Sequence, residues 1–176
     1  MTTKRKKIEK DSEELLRQFN LLSTPVKIES LAEKLGISVI YEDLDDNISG
    51  FLVKKEGKNI IGVNESHHIV RKRFTIAHEI GHYSLHFQTP LFVDYYKGSM
   101  LYRSNNKSRD YNKEKEANSY AAGLLMPQSL IDKELSNLPD NMDYEDKIYE
   151  LKRIFQVSTQ AMDYRLKSLG YYDYGF

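Results

Sequence analysis

The sequence contains no cysteine, has no net charge and includes no long apolar run. The absence of cysteine excludes disulfides and thiolate metal sites, and it fits a reducing compartment. A formal net charge of zero gives no overall reason to expect binding to nucleic acid or to an anionic membrane. No apolar stretch approaches the ~20 residues of a membrane span, and no apolar region follows the basic N-terminus as in a secretory signal. We therefore expect a cytoplasmic protein.

Length and composition predict a globular unit with a real core. The chain has 176 residues, of which 40% are hydrophobic and 30% are charged, enough for a core and a hydrated surface. We predict a helical N-terminal extension over residues 1–24, a core over residues 25–130, and a mostly helical C-terminal part of the same domain over residues 131–176.

Local patterns predict an α+β fold. Apolar residues at helical spacing over residues 28–35 precede a short β-branched strand over residues 37–41. Residues 51–53 and 59–63 flank a turn at Gly57, which is typical of a β-hairpin. We expect a small sheet packed on a central helix, with one hairpin strand at the sheet edge, where an extended substrate can add as a further strand.

The segment from His78 to His82, H-E-I-G-H, contains the most informative pattern. Two histidines four positions apart project from the same face of an α-helix and can bind one metal ion, for which zinc is the usual choice. Glu79 directly follows the first histidine and is placed to act as general base toward a water molecule at the metal. The alternative is a pair of surface histidines with a solvated glutamate.

The setting of this segment favours a buried helix. Phe74, Ile76 and Ile80 give it apolar character. Burial of ionisable groups without partners is costly, so a buried His-Glu-His set needs a functional reason. Gly81 costs about 1 kcal/mol relative to alanine inside a helix. Close approach of another backbone would explain this glycine.

A second helix supplies candidates for the third ligand, because a catalytic zinc takes three protein ligands. This helix includes Glu114 and ends at Pro127. Glu114 shares the apolar face of the helix with Ala121, whereas Glu116 lies about 200° round from Glu114. We therefore predict Glu114, with Glu116 as the competing candidate, and we expect Asn118 to hydrogen-bond a ligand.

Two further features adjoin these motifs. His86 lies eight residues after His78, about 12 Å along a helix axis, which is too far for both to bind one zinc ion. We expect His86 to support His82 or to have a structural role. Residues 87–112 form the longest irregular segment, and a loop of this length often serves as a lid or a specificity loop.

The two motifs together resemble the ImmA/IrrE family of zinc metallopeptidases. The family pattern is H-E-x-G-H followed by E-x-x-A/C-N-x-F-A-A-x-L-L-M-P, and this chain has H-E-I-G-H and E-K-E-A-N-S-Y-A-A-G-L-L-M-P. Tyr120 replaces the usual phenylalanine, and the likeness extends over roughly residues 25–170. The resemblance implies a zincin-like fold, with a gluzincin-like set of Zn²⁺ ligands and a catalytic base. By position, the ligands are His78, His82 and Glu114, and the base is Glu79.

The resemblance also implies a function. Members of the family occur in phages, mobile elements and stress-response loci, and they inactivate a partner repressor that has a helix-turn-helix domain by cutting it. We predict a zinc-dependent endopeptidase that cleaves an XRE-type repressor at a specific site and so derepresses a regulon. The repressor is expected to be a separate protein. Direct binding to nucleic acid or membrane is not expected.

A non-catalytic module is the alternative function. The last two predicted helices, which meet near Ser158, have a helix-turn-helix appearance. An anti-repressor or toxin–antitoxin-like module would bind a repressor or DNA through them. Arg165 and Lys167 are too few cations to favour DNA, and a purely structural metal site does not require Glu79. The role of the aromatic C-terminus, residues 171–176, stays open.

Overall fold

The protein has an α+β architecture, which confirms the predicted fold class. The computed structural model describes residues 3–55, 57–86, 91–95 and 107–171. The elements in chain order are α1 (Thr3–Gln18), α2 (Ile28–Lys34), β1 (Ile37–Glu42), β2 (Ile48–Lys55), β3 (Lys58–Asn64), α3 (Ile69–Leu85), β4 (Leu91–Tyr95), α4 (Lys107–Leu125), α5 (Gln128–Asn137), α6 (Tyr144–Phe155) and α7 (Thr159–Leu169).

The strands form one mixed sheet in the order β1-β3-β2-β4. β3 pairs parallel with β1 and antiparallel with β2, and β2 pairs antiparallel with β4. Gly57, with φ of +75°, lies in the turn of the β2–β3 hairpin, where a positive φ favours glycine. The hairpin is confirmed. Both of its strands are interior, however, so the prediction that one of them forms the sheet edge is wrong.

The strand β4 accounts for this error. It lies within residues 87–112, which the sequence analysis predicts to be irregular, and α4 already begins at Lys107. A five-residue strand gives a weak local signal, and its pairing with β2 is a long-range contact that local propensity does not encode. Residues 87–90 and 96–106 lie outside the described residues, so a lid in this region stays a prediction.

Helix α3 lies against both the sheet and the other helices. It packs on β2, β3, α2 and α4. All of its residues from Thr75 to His82 are buried. The helix begins after His68, whose side chain accepts a hydrogen bond from the backbone N–H of Val70. The prediction of a small sheet packed on the H-E-x-x-H helix is therefore confirmed.

Gly81 allows α3 and α4 to approach closely. A Cβ atom at this position would lie 3.0 Å from the carbonyl oxygen of Ala117, 3.1 Å from its Cα and 3.3 Å from the Cβ of Tyr120. These distances are shorter than ordinary van der Waals contacts, and two of the three atoms belong to backbone. The close approach of another backbone is the explanation that the sequence predicts for a glycine inside this helix.

We expect Gly81→Val to destabilise the protein by about 1–3 kcal/mol, because side-chain atoms added to a packed interface force the two helices apart. Gly81→Ala should give a smaller loss, since its gain of about 1 kcal/mol in helix propensity offsets part of the strain. Urea unfolding followed by circular dichroism measures both changes. Equal stability of the wild type and Gly81→Val would show that α4 does not restrict this position.

Helices from both ends of the chain share one core. Ile8 of α1, Phe155 of α6 and Leu166 of α7 belong to the same buried cluster as the side chains of α3 and α4. The hydroxyl of Ser158 accepts a hydrogen bond from Ala161 N (3.1 Å) and so caps the start of α7. The domain boundaries stay predictions.

Within the described part of the chain, no helix combines the length and the hydropathy that crossing a membrane requires.

Candidate metal centre

Helix α3 brings His78 and His82 together in the interior. They lie one turn apart on the helix face, and their exposed fractions are only 2% and 1%. Their Nε2 atoms are 3.0 Å apart, so both rings direct the same nitrogen toward one point. Two buried imidazoles with converging nitrogens form a preorganised pair of metal donors.

Helix α4 adds a carboxylate to this pair. Glu114 places Oε2 at 3.2 Å from His78 Nε2 and Oε1 at 3.2 Å from His82 Nε2. One donor atom from each of the three residues lies within 4.8 Å of the other two. The Glu116 carboxylate lies against His86 instead, with Oε2 at 3.5 Å from its Nε2. Of the two glutamates that the sequence left in competition, Glu114 is the one that joins the histidines.

The donor set fits a tetrahedral metal ion. Ligand atoms bound at ~2.0–2.1 Å to a tetrahedral ion lie about 3.3–3.4 Å apart. The separations of 3.0 Å between the imidazole nitrogens and 3.2 Å from each nitrogen to a carboxylate oxygen are within a few tenths of an ångström of this value. Two nitrogens and one carboxylate leave a fourth position for water or substrate, as in a catalytic site.

Burial prepares the protonation states that binding of a metal requires. Burial is the main cause that lowers the pKa of His82 from 6.5 to about 4, so its imidazole is neutral near pH 7 and keeps a lone pair. Burial alone would raise the pKa of Glu114. The hydrogen bonds and charges of His78 and His82 outweigh that effect and hold its pKa well below the usual range. The carboxylate is therefore ionised.

The imidazole of His78 is fixed on two sides. Its Nδ1 lies 3.0 Å from the amide oxygen Oδ1 of Asn118, so a proton on Nδ1 can be donated to Asn118 while Nε2 stays available. Asn118 thus contacts one of the two histidines that are candidates for metal ligands. The ring of Phe74, one helical turn earlier in α3, stacks on His78 with centroids 6.1 Å apart.

Glu79 and His86 flank the three donors. Glu79 is fully buried on α3, between the two histidines in sequence. Its carboxylate is therefore inside the protein, on the helix that presents both imidazoles. His86 is not part of the cluster, as the helix geometry predicts, and its Nδ1 lies 3.1 Å from Nδ1 of His82. The contact between His86 and Glu116 joins two helices and has no local signal in the sequence.

Comparisons with known proteins place the chain among peptidase-related sequences. The family model Peptidase_M78, described as IrrE N-terminal-like domain, matches residues 32–167. Among solved structures, a chain described as a Mycobacterium tuberculosis transcriptional regulator has a similar fold, with a TM-score of 0.67 at 17% identity. The likeness covers 91% of this chain and 46% of that one, so this chain spans about half the length of that structure. None of the curated proteins matches the sequence.

Proposed function

Because the chain belongs to the IrrE N-terminal-like family of peptidases, we propose that it is a zinc-dependent endopeptidase that cleaves a helix-turn-helix transcriptional repressor at a specific site. The observation that carries this proposal is the buried convergence of His78, His82 and Glu114 on one point. Glu79, fully buried on the same helix, supplies the base that hydrolysis needs. A structural metal site would not require it.

The proposed reaction is hydrolysis of a peptide bond. Zinc held by His78, His82 and Glu114 would polarise the scissile carbonyl and make water acidic near neutral pH. The Glu79 carboxylate accepts a proton from the water that attacks the carbonyl carbon. It then returns this proton to the nitrogen as the carbon–nitrogen bond breaks, which releases an amine and a carboxylic acid, and the acid loses its proton to solvent. Asn118 keeps the ring of His78 in a fixed orientation during both steps.

A groove beside the cluster of His78, His82 and Glu114 supports the proposal that the substrate is a polypeptide. It has a volume of about 1420 Å³ and is lined by parts of α1, α3, α4 and α7. Phe74 and Asn118, which both contact His78, belong to its wall. The floor has apolar side chains such as Leu125 and Val157. Such a groove can hold several residues of a polypeptide. The three donors and Glu79 are not among its lining residues, so it adjoins the site through Phe74 and Asn118.

The choice of a repressor as substrate rests on the family resemblance and on the fold. The solved structure with a similar fold is itself described as a transcriptional regulator. Direct DNA binding through α7 is less well supported, because the Arg165 side chain is 1% exposed and pairs with Glu9. The other cation, Lys167, pairs with Asp163 at 2.9 Å. Arg165 is therefore not available to DNA, which leaves Lys167 as the one exposed cation of α7 (Thr159–Leu169), too little charge for a DNA-binding helix.

Mass spectrometry of a purified helix-turn-helix repressor of the XRE type, incubated with this protein, tests the proposal. The repressor is incubated with the zinc-loaded protein, and a parallel sample contains an excess of chelator. We expect discrete fragments that account for the whole repressor in the first sample and intact repressor in the second. An intact repressor in both samples, together with a stable complex of the two proteins, would support the non-catalytic anti-repressor instead.

A further inference from the structure

A series of polar contacts extends from His82 away from the three metal donors. The Nδ1 atoms of His82 and His86 are 3.1 Å apart, and His86 Nε2 is 3.5 Å from Oε2 of Glu116. The second oxygen of Glu116, Oε1, is 2.5 Å from Nζ of Lys4 in α1. The His86 side chain is only 8% exposed, and that of Glu116 is 21% exposed, so water screens the contact between them only in part. The Lys4 side chain is 70% exposed, so water screens its contact with Glu116 much more.

The chemistry of imidazole sets which nitrogen has the proton at each contact in this series. A neutral histidine has one N–H group and one nitrogen lone pair. Nε2 of His82 faces His78 and Glu114, so binding a metal uses the lone pair on Nε2 and leaves the proton on Nδ1. That N–H group then donates to Nδ1 of His86. The proton of His86 must therefore be on Nε2, which faces the carboxylate of Glu116.

We propose that His86 is a positioning residue for the metal ligand His82, and that Glu116 in turn orients His86. This inference rests on the metal site of the proposed function. A hydrogen bond accepted from Nδ1–H fixes the tautomer and the ring orientation of a ligand histidine and strengthens Nε2 as a donor. His78 has the equivalent support from Asn118. Each ligand histidine thus has its own acceptor at Nδ1.

The same contacts assign a role to Glu116. Glu116 is two residues from Glu114 on α4, yet it contacts His86 and Lys4 rather than the ligand nitrogens. Its negative charge makes it a good acceptor for the N–H group of His86. Lys4 lies against the same carboxylate from the side of α1, but its side chain is 70% exposed, so this contact adds little to the orientation of Glu116.

Zinc affinity of purified variants tests this role without a measurement of proteolysis. Competition with a chromophoric chelator gives the dissociation constant for Zn²⁺. We expect His86→Phe, which keeps a ring of similar shape but has no acceptor, to weaken zinc binding by about 10–100-fold. Glu116→Gln, which keeps the size of the side chain and removes its charge, should weaken binding by a smaller factor. Glu33→Gln on α2, at an exposed position, is the matched control and should bind as the wild type does.

Circular dichroism of the metal-free variants checks that each one is folded. If His86→Phe does not fold, Glu116→Gln provides the test. A folded His86→Phe variant that binds zinc within about fivefold of the wild type would overturn the proposal, because support of a ligand by an outer residue is typically worth more than that.

Nuclear magnetic resonance of the zinc-loaded wild-type protein provides a second and independent readout. Two-bond correlations between ring protons and nitrogens report which nitrogen of each histidine has the proton. We expect the proton of His82 on Nδ1 and that of His86 on Nε2. A proton on Nδ1 of His86 would overturn the proposal, since that atom could not then accept from His82. Either measurement can succeed even if no repressor is cleaved, so failure of this inference is distinguishable from failure of the peptidase proposal.

Discussion

Glu79→Gln should abolish repressor cleavage and leave zinc binding intact. Glutamine has almost the same size as glutamate but is not basic, so it cannot take the proton of the attacking water. Loss of a positioned general base typically lowers a rate by about 10²–10⁴-fold. The three proposed zinc ligands, His78, His82 and Glu114, are unchanged in this variant. Quantification of fragments by mass spectrometry over time gives the rate, and chelator competition gives the zinc affinity.

Glu79→Asp is the informative partner of this variant. It keeps a carboxylate but shortens the side chain by one methylene group, so the base is present and misplaced. We expect a rate between those of the wild type and Glu79→Gln, because the efficiency of proton transfer depends on position as well as on basicity. Cleavage by Glu79→Gln at the wild-type rate would remove Glu79 from the mechanism. A parallel loss of zinc would instead show that Glu79 maintains the site.

The parts of the site that follow from local geometry are predictable from the sequence. The spacing of His78 and His82 defines one helix face, and the structure brings their Nε2 atoms to 3.0 Å. The apolar periodicity of α4 distinguishes Glu114 from Glu116, since only one of them can face the buried helix. The close packing at Gly81 is predictable because glycine inside a helix costs free energy. The approach of Ala117 explains why a larger residue is absent there. Each of these inferences needs only the period of a helix and the free-energy cost of an unfavourable residue in it.

The parts that depend on long-range pairing are not predictable in this way. The short strand β4 is defined by its pairing with β2. Its residues Leu-Phe-Val-Asp-Tyr favour a strand, but five residues do not indicate the strand with which they pair. The contact between His86 and Glu116 depends on how α3 and α4 are docked. Arg165 appears in the sequence as a helix-surface cation, yet it is buried. The sequence shows no partner for it nearby, because Glu9 lies on the first helix and Arg165 on the last.

The buried Arg165 joins three helices at one point. Its Nη1 lies 2.8 Å from Oε2 of Glu9 in α1, and its Nε donates to the carbonyl oxygen of Met126 at 3.0 Å. Met126 directly follows α4, where backbone carbonyls have no partner within the helix. Arg5 donates from Nε to the other oxygen of Glu9 at 3.1 Å. Burial lowers the pKa of Arg165, but an arginine stays charged, so the cost of burying this cation is offset mainly by these contacts.

Arg165→Met should therefore destabilise the protein by about 3–5 kcal/mol, because it leaves the buried carboxylate of Glu9 without its main partner and the carbonyl of Met126 without a donor. This is a large share of the ~5–15 kcal/mol that stabilises a typical domain. Guanidinium unfolding followed by circular dichroism measures the loss. The double variant Glu9→Leu/Arg165→Met should recover part of it, since no unpaired charge then remains buried.

Lys167→Met is the matched control on the same helix. Lys167 forms an ion pair with Asp163 at 2.9 Å, but its side chain is 48% exposed. An exposed pair of this kind contributes only about 0–1 kcal/mol, because water screens the charges and replaces the lost contact. Methionine thus replaces a buried cation in one variant and an exposed cation, two residues away, in the other. The comparison separates the effect of burial from that of losing a cation. Equal losses for Arg165→Met and Lys167→Met would contradict a stabilising role for the buried pair.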